Sequence, residues 1–415
     1  MHGRVSERIE ADWRGAGRIR RVNRLLERAW ARGWAPAPVL DHGSMIADAR
    51  RATGLDDFGP SDHWRRNLEV LIDAVGREAA VSPLGRTMAY GQISAALRDR
   101  LRAQALWQRR PEIGGIPIAR PILILGQMRS GTTRVQRLLA CDPRLSHTRY
   151  FESWRPMRAT RLPVDDRVWR ARGMLGAMRL LNPEFEAIHP TGARRPDEEI
   201  GLFSPGFHGA TFEAQWRVPS FARHCEAADA RPVYAEFKQL LRTVAWTRGE
   251  REPRPWVIKV PQLTQDLHAV LDAFPDARAI RLERDPVATV ASAASLVRNQ
   301  MRVQSDAVDD AWIGREWLRK VKLRRERTTA ALAARPETAV AEVGFDEMNR
   351  DPVAAMRGVY ETLELTLTPE VEGRMRRYLR RAAREGRGAH RYRIEEFGLS
   401  EGEVRAVLPG PSTRT

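Results

Sequence analysis

The stretch GQMRSGTT (126–133) sets Arg129 and Ser130 between two glycines and places Thr132 and Thr133 directly after the second. Small residues let a chain turn sharply, so several backbone N–H groups can converge on one point, and a helix starting there adds its dipole. Such a mouth suits a tetrahedral anion. Loops that hydrolyse nucleoside triphosphates read G-x-x-x-x-G-K-[ST]. Gly126 and Gly131 keep that spacing, but Thr132 stands where the lysine belongs. That lysine neutralises the β- and γ-phosphates during phosphoryl transfer. The residues therefore predict an anion site that does not serve ATP or GTP hydrolysis, with Arg129 supplying charge from another position.

A second anion site is expected at Arg284-Asp285-Pro286, with Ser292 following. Asp285 suits an N-cap and Pro286 the first helical position. Ser292 comes about two turns later and returns to the same side of the helix. Arg284 at the helix mouth and the Ser292 hydroxyl could hold one phosphate together, arginine offering paired, charge-assisted contacts to an oxyanion.

The elements that would carry these residues are legible as patterns. The apolar run 122–125 suits a strand buried on both faces, and 132–140 reads as a helix with Val135, Leu138 and Leu139 on one side. Further strands are expected within 255–260, 277–283 and 338–343, and helices at 234–247, 265–274, 286–302 and about 307–334. This alternation predicts an α/β fold, a P-loop-like parallel sheet flanked by helices. Residues 1–38 form a helix-prone, arginine-rich N-terminal arm closed by Pro36 and Pro38. Residues 39–118 form a helical region packed on the core, and 119–415 the α/β domain. The segment 150–232 reads as irregular, rich in proline, arginine and aromatics, and is the expected source of acceptor-binding loops.

The 415 residues carry a formal net charge of +17, almost wholly from arginine, since Lys238, Lys259, Lys320 and Lys322 are the only lysines. The arginines are scattered and many stand beside Asp or Glu, so the excess reads as compositional rather than as a nucleic-acid footprint. Cys141 and Cys225 are the only cysteines, which predicts neither a disulfide framework nor a cysteine-rich metal site. No apolar run approaches the roughly 20 residues that span a bilayer. The first residues lack the apolar segment of a secretory signal. A cytoplasmic protein without a bound metal is expected.

Taken together, R-S-G-T-T after one strand and R-D-P with a later serine after another resemble the paired signature of sulfotransferases that use 3′-phosphoadenosine 5′-phosphosulfate (PAPS). The resemblance runs from about Leu40 to Leu408. It includes ATGLDDFG (52–59), HPTGARRPDEEI (189–200), WVIKVPQLTQDL (256–267), FPDARAIRLERDPVATVAS (274–292) and GAHRYRIEEFGLS (388–400), and is similar to the bacterial branch of that family. Val260, where many relatives have serine, and Arg194-Arg195 depart from it.

The resemblance implies the sulfotransferase fold and transfer of a sulfuryl group from PAPS to a hydroxyl or amine of a small molecule, lipid or glycan. It implies that Arg129, Ser130, Gly131, Thr132 and Thr133 hold the 5′-phosphosulfate, and that Arg284 and Ser292 hold the 3′-phosphate. Arg387, His390 and Arg391 are expected to close over the donor's phosphates. Lys259, at the end of an apolar strand, is expected to be a second cation on the bridging oxygen, beside Arg129. Relatives use glutamate or histidine as base, and Glu152 in RYFESW is the first candidate, with Glu198 and His189 as alternatives. Two competing readings are a P-loop kinase or NTPase, which would need the missing lysine, and a non-catalytic, arginine-rich nucleic-acid-binding protein. The latter would need an aromatic, zinc or basic-helix pattern that the chain lacks.

Overall fold

The computed structural model describes residue 13 and residues 15–159, 165–185, 190–384 and 392–410. Five short strands, β1 (Ile122–Leu125), β2 (Ser146–His147), β3 (Trp256–Ile258), β4 (Arg278–Glu283) and β5 (Val340–Gly344), form one sheet. All neighbours are parallel, in the order β2-β3-β1-β4-β5. The expected helices are present as Arg231–Arg248, Leu267–Ala273, Pro286–Gln304 and Asp310–Ala333.

The pleat sorts the strand side chains between two cores. Leu123, Leu125, Ile258 and Ala279 join Phe237, Leu241 and Val270 on one face. Ile122, Ile124, Val257 and Ile280 join Val135, Leu138, Leu139 and Val359 on the other. This double burial explains why β1 is apolar at every position. It also fixes the register Ile122↔Val257 and Ile122↔Arg278, because a one-residue slip would exchange the two faces. From β1 the chain moves to β2 and β3 on one side, and then crosses to β4 on the other. The carboxyl ends of β1, β3 and β4 therefore open at a switch point, the usual ligand crevice of such sheets.

The N-terminal helices His42–Thr53, His63–Glu78 and Pro83–Arg109 bury Met45, Trp64, Leu68, Leu71 and Leu97 in a third core, which Phe207, Phe212, Trp216 and Phe221 complete. Gly54 ends the first of these helices in the left-handed region at φ 66°. The segment 150–232 departs from its expected irregularity, since it contains the helices Arg167–Leu181 and Pro219–Ala227. In the first of these, Val168, Ala171 and Leu175 are buried while Trp169 and Leu180 are exposed, so its apolar residues lie on several sides and give no clear stripe.

The helix Pro286–Gln304 runs from the sheet's carboxyl edge back to the N-terminal helices. Its start is capped by Asp285, whose carboxylate accepts the Ala288 N–H at 2.9 Å. At its far end the Gln304 carbonyl accepts the Ser82 N–H at 2.9 Å. Gly85 lies so close that an added Cβ would fall 1.9 Å from the Gln304 oxygen. Gly85→Ala should therefore lower stability by roughly 1–3 kcal/mol through overpacking. Gly76→Ala, whose Cβ meets nothing within 4 Å, should raise it by roughly 0.5–1 kcal/mol. Urea-denaturation midpoints moving in the same direction for both variants would contradict this packing.

Candidate active site

The first anion cradle follows β1. Arg129 (φ 67°) and Gly131 (φ 93°) both turn through the left-handed region, and that is how six residues reverse the chain. The Ser130 hydroxyl donates to the Gln127 carbonyl at 2.7 Å and tightens the loop. At Gly126 an added Cβ would come within 2.6 Å of the Ser130 Oγ, so the loop closes on a bare α-carbon. Gly131 is the N-cap of the helix Thr132–Leu139 and supplies no capping side chain. The first N–H groups of the helix are left facing the loop, an arrangement complementary to an anion.

The second cradle lies beside the first because β4 pairs with β1, Leu125 opposite Arg281. Just past β4, Arg284 reaches across the gap: its Nη1 donates to the Arg129 carbonyl at 2.6 Å. Its Nη2 donates to the Tyr392 hydroxyl at 3.1 Å. The guanidinium sits 4.3 Å from the centre of the Phe345 ring, within cation–π range. Burial lowers the pKa of Arg129, the Arg284 charge lowers it further, and Tyr392 acts the other way. Ser292, on the helix that begins at this mouth, is 2% exposed, and its Oγ has no hydrogen-bond partner among the described residues. A buried hydroxyl without a partner is costly unless a ligand or water completes it.

Lys259 emerges immediately after β3 and is 2% exposed. Its Nζ donates to the Thr133 Oγ1 at 3.0 Å and pairs with the Glu198 carboxylate. Thr133, Lys259 and Glu198 thus form one chain of contacts running from the loop towards the segment before the 3₁₀ helix Glu199–Gly206. Only Oε1 of Glu198 is engaged among the described residues, and the side chain is 15% exposed. Next to it, the Glu199 Oε2 accepts the Lys259 backbone N–H at 2.7 Å. Burial pushes the Glu199 carboxyl up to about 8, against the downward pull of that N–H.

Glu152 occupies a different setting. It is 1% exposed, and Arg248 Nε donates to its Oε1 at 2.8 Å while Arg248 Nη2 pairs with its Oε2. The Arg149 N–H, at 2.8 Å, also uses Oε2. Arg248 donates as well to the His147 carbonyl at 2.7 Å, so the pair ties the end of β2 to the helix Arg231–Arg248. With both oxygens engaged, Glu152 is placed as a brace. His189, Arg387, His390 and Arg391 lie outside the described residues. Phe345 and Tyr392 were absent from the sequence expectations. Phe345 follows β5 at the sheet's carboxyl edge, where ligand-facing residues concentrate, and that position was the available signal.

Residues 121–369 match the family model described as Sulfotransferase family. Among solved structures, the sulfotransferase STF1 from Mycobacterium tuberculosis H37Rv is 27% identical, with a TM-score of 0.75 over 90% of this chain and 100% of that one. Sulfotransferase STF9 from Mycobacterium avium is 26% identical, with a TM-score of 0.77 over 89% of this chain and 95% of that one. No curated protein matches the chain.

The Glu199 carboxyl gives the site a pH signature. Its folded value of about 8 lies above the ordinary carboxylate value, so the folded protein retains a proton that the unfolded chain has released. The stability contributed is full below the ordinary carboxylate range and falls as pH rises through the folded value. Wild type minus Glu199→Gln should therefore decline across about pH 5 to 8, by at most ~1.4 kcal/mol per pH unit. Parallel urea-stability profiles for the two proteins would contradict it.

Proposed function

The chain belongs to the sulfotransferase family, and on that premise we propose that it moves a sulfuryl group from PAPS to a hydroxyl or amine of a small molecule, lipid or glycan. PAPS is charged at both ends, with a 5′-phosphosulfate and a 3′-phosphate on one ribose. A protein that binds it needs two cradles at a fixed separation. The observation that carries this reading is the 2.6 Å bond from Arg284 to the Arg129 carbonyl, which locks the second mouth to the first loop. The Ser292 hydroxyl, without a partner among the described residues, and the bare Gly131 cap fit the same donor.

In this reading the N–H groups of Gly131, Thr132 and Thr133, with the two threonine hydroxyls, hold the 5′-phosphosulfate, while Ser130, whose N–H and hydroxyl both donate to the Gln127 carbonyl, shapes the loop around it. Arg284 and Ser292 hold the 3′-phosphate. The acceptor oxygen or nitrogen attacks sulfur in line, and the bond from sulfur to the 5′-phosphate oxygen breaks. Lys259 donates to that leaving oxygen and Arg129 offsets the charge that develops on the bisphosphate, the kind of preorganised stabilisation that contributes most to such reactions. The acceptor's proton passes to a carboxylate. We assign it to Glu198, which already meets Lys259 and keeps one oxygen unengaged among the described residues, rather than to Glu152, whose oxygens are held by Arg248 and Arg149. A triphosphate-hydrolysing reading lacks its lysine at Thr132.

Arg284→Ala should weaken binding of 3′-phosphoadenosine 5′-phosphate by about 10- to 100-fold, the loss expected for hydrogen bonds to a charged group. Titration calorimetry reads this directly, and unchanged affinity contradicts the cradle. Glu198→Gln should leave that affinity intact and lower kcat by roughly 100-fold or more. If Glu198→Gln turns over like the wild type while Glu152→Gln does not, the base assignment is wrong.

A further inference from the structure

The helix Ala16–Ala31 takes no part in the site, and its two faces differ sharply. Ile19, Val22 and Leu26 turn inward onto Leu84, Val303 and Leu181. The outward arc carries Arg20, Arg21, Arg24 and Arg28, all exposed, with Arg32 just past the helix end. Glu27 is the one acid among residues 16–32. None of these five arginines forms an ion pair among the described residues, whereas elsewhere in the chain arginines commonly pair with a nearby carboxylate, as Arg248 does with Glu152 and Arg319 with Glu226. This face thus presents a row of guanidinium groups with no carboxylate paired to them among the described residues.

Large apolar groups border the same arc. Leu25 is 63% exposed, and Trp34, beyond the helix, is 71% exposed with the Arg32 guanidinium 4.9 Å from its ring. Arg18 Nη1 donates to the Leu180 carbonyl at 2.8 Å, so the helix Arg167–Leu181 lies alongside. Leu25 follows Arg18 by about two turns and falls on that side. The neighbouring helix adds Leu180, 63% exposed. Single exposed leucines are ordinary. Three large apolar side chains, Leu25, Trp34 and Leu180, beside a row of unpaired guanidinium groups are not.

We infer that this face docks the protein on an anionic phospholipid surface. Guanidinium groups meet the phosphates of the headgroups, while Leu25, Trp34 and Leu180 enter the interfacial layer, where indole rings and short aliphatic groups are favoured. Each basic residue near such a surface contributes attraction that fades within a Debye length. A nucleic-acid duplex would use the arginines and leave the apolar groups in water, so the lipid surface fits both sets. No helix among the described residues is long and apolar enough to cross a membrane, which leaves a peripheral mode of attachment for this face. The inference does not depend on the sulfuryl-transfer reading.

Flotation of the full chain with vesicles tests it. Wild type should rise with vesicles of phosphatidylcholine and phosphatidylglycerol, stay behind with phosphatidylcholine alone, and release as salt increases. The triple variant R20E/R24E/R28E should lose roughly 100-fold in partitioning. The double variant L25S/W34S should lose roughly tenfold while keeping its preference for anionic vesicles. Unchanged urea midpoints show that the variants are folded. If the charge-reversed chain does not fold, the wild-type salt series and L25S/W34S decide the matter. The inference is overturned if wild type fails to float with anionic vesicles at low salt, or if R20E/R24E/R28E floats equally well. It is also overturned if duplex DNA displaces wild type from the vesicles and L25S/W34S binds them unchanged, which would assign the face to nucleic acid.

Discussion

The organisation of the site depends on one hydrogen bond, from the Arg284 guanidinium to the carbonyl of Arg129. A loop residue in the left-handed region presents that carbonyl, and a residue at the start of another helix captures it. The bond is possible because β1 and β4 are paired in parallel, so their carboxyl ends open side by side. Phe345, from the end of β5, lies under the same guanidinium and also limits the space beside Gly131, where an added Cβ would come within 3.3 Å of its ring. Three strand ends therefore meet in one notch. Positive groups are held there at short range, and an anion would relieve the cost of keeping them together.

A second constraint acts on Lys259. Its ammonium is almost wholly buried, which is unfavourable unless charge and hydrogen bonds compensate, and Glu198 and Thr133 provide both. The carboxylate that stabilises the lysine is thereby brought beside the loop. Glu152 and Arg248 use the same physics for a different end: a buried carboxylate with every oxygen engaged ties β2 to a helix, and next to it backbone bonds from the Tyr150 N–H to the Arg195 carbonyl and from the Asp197 N–H to the Thr148 carbonyl hold the segment that leads to Glu198. Whether a buried acid braces the fold or is available for proton transfer is decided by how many of its lone pairs are already taken.

Features of the fold set by local chemistry were legible in the sequence. The Gly126–Gly131 spacing, the Asp285-Pro286 helix start and the apolar strand runs each follow from neighbouring residues, and each stands where it was expected. The position of Lys259 at a strand end followed from the abrupt end of an apolar run. Contacts between residues distant in sequence were not legible. Glu152 looked available because Arg248 is 96 residues away. Phe345 and Tyr392 were missed because only the sheet order brings them to Arg284. The helix Arg167–Leu181 was passed over because its exposed Trp169 and Leu180 blur the periodicity that marks a buried face.

The central claim is geometric: the bare cap at Gly131 and the guanidinium of Arg284 bind opposite ends of a single donor. A crystal structure with 3′-phosphoadenosine 5′-phosphate measures this most directly. The 5′-phosphate should rest against the backbone N–H groups of Gly131, Thr132 and Thr133, with the 3′-phosphate in contact with Arg284 and the Ser292 hydroxyl. A nucleotide seated elsewhere, or held at one cradle with the other empty, would contradict the account.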